Sequence, residues 1–129
     1  MTGGELLVPA GTAAEVRVVI VDDQLPFRRA AAAVVARTVG FRVVGEGASG
    51  EQAIDLCRSL RPDLILLDVQ MPGIGGIAAA RSIIAEATAT VIMCSTHPRD
   101  DLELDPAIRF LAKEDLSTTN LQRTWNDAP

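Results

Sequence analysis

The segment DLILLDVQMPG (residues 63–73) is the most informative stretch of this sequence. A run of leucine and isoleucine side chains ends at Asp68, and a Met-Pro-Gly turn begins three residues later, at Met71. A short apolar run that is bounded by turn residues is typical of a strand buried on both faces of a parallel sheet. The segment therefore predicts a central strand over residues 63–68 with a carboxylate at its carboxyl end.

Strand-like and helical segments alternate on both sides of this strand. Further strands are predicted over residues 16–21, 41–46, 90–95 and 108–113, and apolar residues recur at helical spacing between them. The expected inward-facing helix positions are Phe27, Ala30, Ala31, Val34, Val35, Ala53, Cys57, Leu60, Ile77, Ala80, Ile83, Ile84 and Ala87. This alternation predicts a flavodoxin-like, doubly wound α/β fold with a five-stranded parallel sheet in the order 2-1-3-4-5.

The connection between the fourth and fifth predicted strands covers residues 96–107. Pro98 and Pro106 lie near its two ends, and both disfavour a helix that runs through them. We therefore expect the fourth of five helices to be shortened or missing. Ser117 has the right position and chemistry to cap a helix at the end of the chain.

Composition limits the domain organisation and the classes of function. The 129 residues suffice for one domain, and we expect a flexible tail over residues 1–15, a domain over residues 16–126 and no output domain. A net charge of −5 is the wrong sign for binding nucleic-acid phosphates, and no stretch approaches the roughly 18 apolar residues of a membrane span. We expect no direct DNA binding, no membrane insertion and a cytoplasmic location, which suits Cys57 and Cys94 as reduced core residues.

Polar residues follow the predicted strands at their carboxyl ends, where ligands bind in open α/β sheets. These residues are Asp22, Asp23, Asp68, Ser95, Thr96 and Lys113. Crowded carboxylates repel one another unless a cation compensates them, and oxygen ligands with room for water suit Mg²⁺ or Mn²⁺. A carboxylate can also attack phosphorus to form an aspartyl phosphate. Asp68 is therefore the predicted phosphoacceptor, with Lys113 and the metal neutralising the charge of the phosphoryl group.

From residue 16 to about residue 125 the sequence resembles the receiver domains of two-component response regulators. The segments that carry the resemblance are the Asp22-Asp23 pair, LLDVQMPG around Asp68, Ser95 and FLAKEDL around Lys113. The sequences FLAKEDL and MPGIGG resemble those of receivers in the LuxR/NarL-like branch. The resemblance implies a signalling module, not a conventional enzyme, which accepts a phosphoryl group from a sensor histidine kinase or a phosphotransfer protein. The output protein is unknown.

The resemblance also implies roles for individual residues. It makes Asp22, Asp23 and Asp68 metal ligands and adds the main-chain carbonyl of Gln70. It makes Ser95 and Phe110 the hydroxyl and the aromatic residue of a conformational switch. Thr96 departs from the family pattern, which has a small residue here, and is expected to narrow access to Asp68.

Two other functions remain open from the residues alone. GEGASG (residues 45–50) follows a predicted strand and imitates a dinucleotide-binding fingerprint. This reading leaves the acidic residues and Lys113 unexplained. The second alternative is a protein-interaction module that acts without phosphorylation.

Overall fold

The computed structural model describes residues 15–99 and 102–127. Most of the predicted N-terminal tail, residues 1–14, lies outside the described residues. The strands are β1 (Val16–Val21), β2 (Phe41–Gly47), β3 (Leu64–Asp68), β4 (Thr90–Ser95) and β5 (Arg109–Ala112). The helices of the described residues are α1 (Leu25–Arg37), α2 (Gly50–Leu60), α3 (Gly75–Glu86) and α4 (Thr118–Asn126). A 3₁₀ turn, Lys113–Asp115, links β5 to α4.

The five strands form one sheet in the order β2-β1-β3-β4-β5, and all neighbouring pairs are parallel. This is the predicted flavodoxin-like architecture. All five residues of β3 are buried because the strand lies at the centre of the sheet with helices on both faces. The apolar character of the first four residues thus reflects burial from two sides. Asp68, the one charged residue of the strand, is buried as well.

Each face of the sheet carries its own apolar cluster. Buried residues of α2 and α3, including Cys57 and Ile83, pack on one face, and buried residues of α1 and α4, including Val35 and Leu121, pack on the other. The thiols of Cys57 and Cys94 are buried and unpaired, as predicted. Burial raises the pKa of Cys57 to about 11 and that of Cys94 to about 12. Both thiols are therefore protonated at neutral pH.

Several predicted element boundaries and helix positions need correction. Ala30 is exposed, because the buried positions of α1 are Ala31 and Val35. Ala87 lies beyond the last turn of α3 and ends it in the left-handed conformation, with a φ of 53°. Lys113 begins the 3₁₀ turn instead of ending β5. Ser117 caps α4 as predicted, since its hydroxyl oxygen accepts a hydrogen bond from the backbone N–H of Asn120.

The connection between β4 and β5 has no α-helix in its described residues, 96–99 and 102–108. Backbone hydrogen bonds from Leu102 to Arg99 (3.0 Å) and from Ile108 to Asp105 (2.9 Å) form local turns instead. Leu102 and Leu104 are half-buried against the cluster on the α2 and α3 face. The prediction that this helix is shortened or missing is confirmed for the described residues.

Candidate functional site

Three carboxylates meet at the carboxyl ends of β1 and β3, as the strand ends predicted. Asp22 and Asp68 are buried and Asp23 is exposed, and one oxygen of each lies within 4.8 Å of the others. The arrangement arises because β1 and β3 are adjacent and parallel, so both end at the same edge of the sheet. The backbone N–H of Gln24 donates to Oδ1 of Asp22 over 2.8 Å and fixes that carboxylate in a local turn.

Lys113 joins this group from the 3₁₀ turn that follows β5, at the far side of β4. Its Nζ lies 2.7 Å from Oδ2 of Asp22 and 3.4 Å from Oδ1 of Asp68. Burial by itself lowers the pKa of Lys113, but the close contact with Asp22 and the charge of Asp68 outweigh it, so the pKa is raised. The ammonium is therefore charged at neutral pH and bridges the two buried carboxylates.

Asp68 occupies a less favourable electrostatic position. Burial and the charge of Asp22 raise the pKa of Asp68, and Lys113 and the backbone N–H of Gln70 only partly compensate. An additional cation would stabilise the ionised form of Asp68, because it would offset the burial and the charge of Asp22. Oδ2 of Asp22 is also buried without an aligned hydrogen bond, although the ammonium lies beside it. The donor set of carboxylate oxygens fits a hard cation such as Mg²⁺.

The predicted switch residues lie on the neighbouring strands. Ser95 is buried at the end of β4, one residue beyond the partner of Asp68 in the strand register, and its oxygen accepts a hydrogen bond from the backbone N–H of His97 over 2.9 Å. Thr96 follows it and is exposed. Phe110 is half-buried on β5 beside Met93 and packs with the α2 and α3 cluster. Gln70 is exposed in the turn after β3.

Sequence reasoning missed three residues that shape the site. Phe27, predicted only as a core position, places its ring against Lys113 with 4.5 Å between the ring centroid and Nζ. Arg28 donates through Nη1 to the carbonyl of Asp22 over 2.7 Å. A Cβ atom on Gly76 would lie 1.9 Å from the carbonyl oxygen of Asp68, so only glycine lets α3 begin there. The glycine pair after MPGI is the one visible signal for the last of these.

The glycines of the GEGASG segment are explained by packing. A Cβ atom on Gly50 would lie 2.7 Å from the carbonyl oxygen of Gly75, where α2 passes the start of α3. A Cβ on Gly45 would lie 2.8 Å from Cδ1 of Leu60. These close approaches account for the small residues at the end of β2 and the start of α2 without a bound dinucleotide.

Comparison with known proteins identifies a family and several relatives of this chain. Residues 18–114 match the family model described as the response regulator receiver domain. A positive alginate biosynthesis regulatory protein of Pseudomonas aeruginosa is 44% identical over 88 residues, which cover 67% of this chain and 36% of that protein. A protein-glutamate methylesterase/protein-glutamine glutaminase of Alkalilimnicola ehrlichii is 40% identical over 86 residues, which cover 67% of this chain and 22% of that protein.

Solved structures agree with the sequence relatives. The signal receiver domain of the response regulator NarL from Mycobacterium tuberculosis superposes with a TM-score of 0.70 at 26% identity, covering 88% of this chain and 98% of that one. This neighbour confirms the predicted likeness to the LuxR/NarL branch. The chain spans only between about a fifth and two fifths of the curated relatives' length. No helix in the described ranges is long and apolar enough to cross a membrane.

Proposed function

This chain belongs to the response regulator receiver domain family, and on that premise we propose that Asp68 is its phosphoacceptor. The observation that carries the proposal is the bridge from Lys113 to Asp22 and Asp68, which brings a charged ammonium to a buried carboxylate at a strand end. Members of this family are signalling domains and do not form a family of catalysts. The chemistry proposed for this chain is limited to gain and loss of one phosphoryl group.

We further propose that Asp22, Asp23 and Asp68 hold Mg²⁺, or Mn²⁺, with the main-chain carbonyl of Gln70. Two observations support this assignment: the carboxylate oxygens are clustered, and the pKa of Asp68 is raised. When bound, the cation supplies positive charge to the phosphoryl oxygens. Asp23 is the exposed member of the three and leaves one side of the cluster open to solvent.

In the transfer step, an oxygen of Asp68 forms a bond to phosphorus while the bond from phosphorus to the donor breaks. The bonding electron pair leaves with the donor group, which takes up a proton. Lys113 lies within reach of both Asp22 and Asp68 before the step, so it is already placed to bind an equatorial phosphoryl oxygen. Hydrolysis reverses the change, because water then attacks the phosphorus and releases Asp68.

Receiver domains of response regulators are phosphorylated by histidine kinases, and we propose such a kinase or a phosphotransfer protein as the donor for this chain. The output partner is proposed to be another protein. The net charge of −5 argues against direct DNA contact by this receiver.

The proposed conformational readout uses Ser95 and Phe110. The Ser95 hydroxyl would leave the His97 N–H and turn to the phosphoryl oxygens, and the ring of Phe110 would follow into the released space. In support, Ser95 is buried next to the Asp68 strand, and Phe110 lines an open cavity of about 300 Å³ with Arg99 and Ile108. Beryllofluoride, a phosphoryl mimic, should shift the NMR resonances of both residues. Unchanged resonances around both would contradict this switch.

The decisive test of the function is phosphorylation with acetyl phosphate, with and without Mg²⁺. Intact mass should show one added phosphoryl group in the presence of Mg²⁺, and Asp68→Asn should abolish it. Asp55→Asn, which changes an exposed carboxylate of α2, is the matched control and should be labelled like the wild type. Full labelling of Asp68→Asn would refute the assignment.

A further inference from the structure

The first turn of α1 brings an aromatic ring to the ammonium of Lys113. Helix α1 begins at Leu25 with Pro26 in its first turn, and this start places Phe27 in the same turn, six positions after the last residue of β1. Phe27 is half-buried and packs with the cluster on the α1 and α4 face. The distance from its ring centroid to Nζ of Lys113 is 4.5 Å, well inside the roughly 6 Å range of a cation–π interaction.

The ring complements the carboxylates around the ammonium. An ammonium group has three N–H bonds, and Asp22 and Asp68 lie 2.7 and 3.4 Å from Nζ. The electron-rich face of Phe27 lies against the same charge from the side of α1. Only 11% of the Lys113 side chain is exposed, so the interaction operates in a partly desolvated setting, where it is stronger than at a surface.

We propose that Phe27 is a positioning residue for Lys113, and this inference rests on the phosphoacceptor function proposed for Asp68. The ring holds the ammonium on the Asp22 and Asp68 side of β5, where it meets the phosphoryl oxygens as they arrive. Without the ring, the flexible lysine side chain samples more orientations, and fewer of them are productive. Phe27 does not itself touch the reacting atoms.

If residue 27 served only as apolar packing beside Lys113, its side chain would not have to be aromatic. Leucine or methionine would serve as a wall as well as phenylalanine does, whereas a cation–π contact needs an aromatic face. The comparison between aliphatic and aromatic substitutions at one position therefore separates the two roles.

The test measures the initial rate of Asp68 labelling by acetyl phosphate at saturating Mg²⁺ in the full chain. Phe27→Leu and Phe27→Met should slow labelling about three- to tenfold, the range that corresponds to a typical cation–π contact. Phe27→Tyr and Phe27→Trp should stay within about twofold of the wild type, because the aromatic face is retained. Phe41→Leu is the matched control, since it removes a ring of the same apolar cluster that packs against Trp125 instead of Lys113.

A second readout does not depend on phosphorylation. The ε-methylene protons of Lys113 should show an upfield ring-current shift in the NMR spectrum of the wild type, and Phe27→Leu should abolish it. If the aliphatic variants do not fold, two measurements still test the positioning role of Phe27. They are the ring-current shift of Lys113 in the wild type and the labelling rates of Phe27→Tyr and Phe27→Trp.

Three results would overturn the inference. They are the absence of the ring-current shift in the wild type, wild-type labelling of Phe27→Leu, and equal slowing by Leu, Tyr and Trp. A wild type that shows the shift but takes up no phosphoryl group on Asp68 would instead refute the proposed function, and the positioning role with it.

Discussion

The pocket around Asp68 and the connection between β4 and β5 meet at the carboxyl end of β4 but are held in different ways. In the pocket, Lys113 contacts two buried carboxylates and one ring, and a glycine fits under the backbone of Asp68. In the described part of the connection, turns between Arg99 and Leu102 and between Asp105 and Ile108 replace a helix. Interactions that span several elements thus hold the pocket, whereas short-range hydrogen bonds shape the connection.

This difference matters for a switch. A reacting group must be held in one geometry before the reaction, whereas a segment that reports the reaction must have a second arrangement of similar free energy. Ser95 stands at the junction, because its strand ends beside Asp68 while its hydroxyl accepts a bond from His97 in the connection. Substitutions in the pocket should therefore have large effects, and substitutions in the connection small ones.

Among the residues around Asp68, the largest effect is expected from Lys113→Met, which removes the charge that bridges the pocket. The rate of labelling by acetyl phosphate should fall about a hundredfold or more, because a charge placed at the developing phosphoryl oxygens is lost. Arg58→Met is a matched control, since it removes a cation paired with Glu86 on the exposed surface. A decrease of less than about threefold would show that the bridge has little part in the reaction.

Gly76→Ala tests how tightly the pocket is packed. The added Cβ would lie 1.9 Å from the carbonyl oxygen of Asp68, so the backbone must shift, and the free energy of unfolding should fall by about 1–3 kcal/mol. Gly45→Ala should cost less, since its nearest neighbour is the movable end of the Leu60 side chain. Urea denaturation measures both. Equal stability of Gly76→Ala and the wild type would show that the pocket yields more readily than the structure implies.

Asp68→Asn tests the electrostatic cost of the pocket. A carboxyl group whose pKa is raised by folding stabilises the fold while protonated, and this contribution is lost as the pH rises through the folded pKa. The ionised Asp68 therefore costs stability at neutral pH. Without Mg²⁺, Asp68→Asn should raise the free energy of unfolding at pH 7 and raise it less near pH 4.

Saturating Mg²⁺ should reduce or reverse this advantage, because the cation binds the wild-type carboxylates more tightly and stabilises that protein by mass action. Thermal unfolding at several pH values, with and without Mg²⁺, measures these changes. A destabilised Asp68→Asn at neutral pH without Mg²⁺ would mean that Lys113 more than compensates the burial of Asp68.

The smallest effect is expected in the connection, from Thr96→Ala. Thr96 is exposed beside the buried Ser95, and its removal should widen the approach to Asp68. Labelling and loss of the phosphoryl group, followed by intact mass, should both become about twofold faster, within the range of surface substitutions. A tenfold change would place Thr96 among the residues of the pocket and weaken the contrast between the two regions.

The sequence determined the strand order, most element boundaries and the meeting of Asp22, Asp23, Asp68 and Lys113. It could do so because uniform apolar runs identify buried parallel strands, and their carboxyl ends share one edge. The prolines of the connection likewise indicated a lost helix from local backbone constraints alone. Local periodicity was less reliable within α1, where Ala30 fits the apolar spacing but is exposed to solvent.

Only the tertiary structure decided which side chains complete the pocket. Phe27 and Lys113 are 86 positions apart, and neither local spacing nor composition encodes the rotation of α1 that brings its ring to the ammonium. The space under Asp68 that requires Gly76, and the burial that raises the pKa of Asp68, likewise exist only once β3 and α3 have packed. Backbone preferences and hydrophobic periodicity are local properties of the chain, whereas desolvation and side-chain contact depend on what the rest of the fold brings into place.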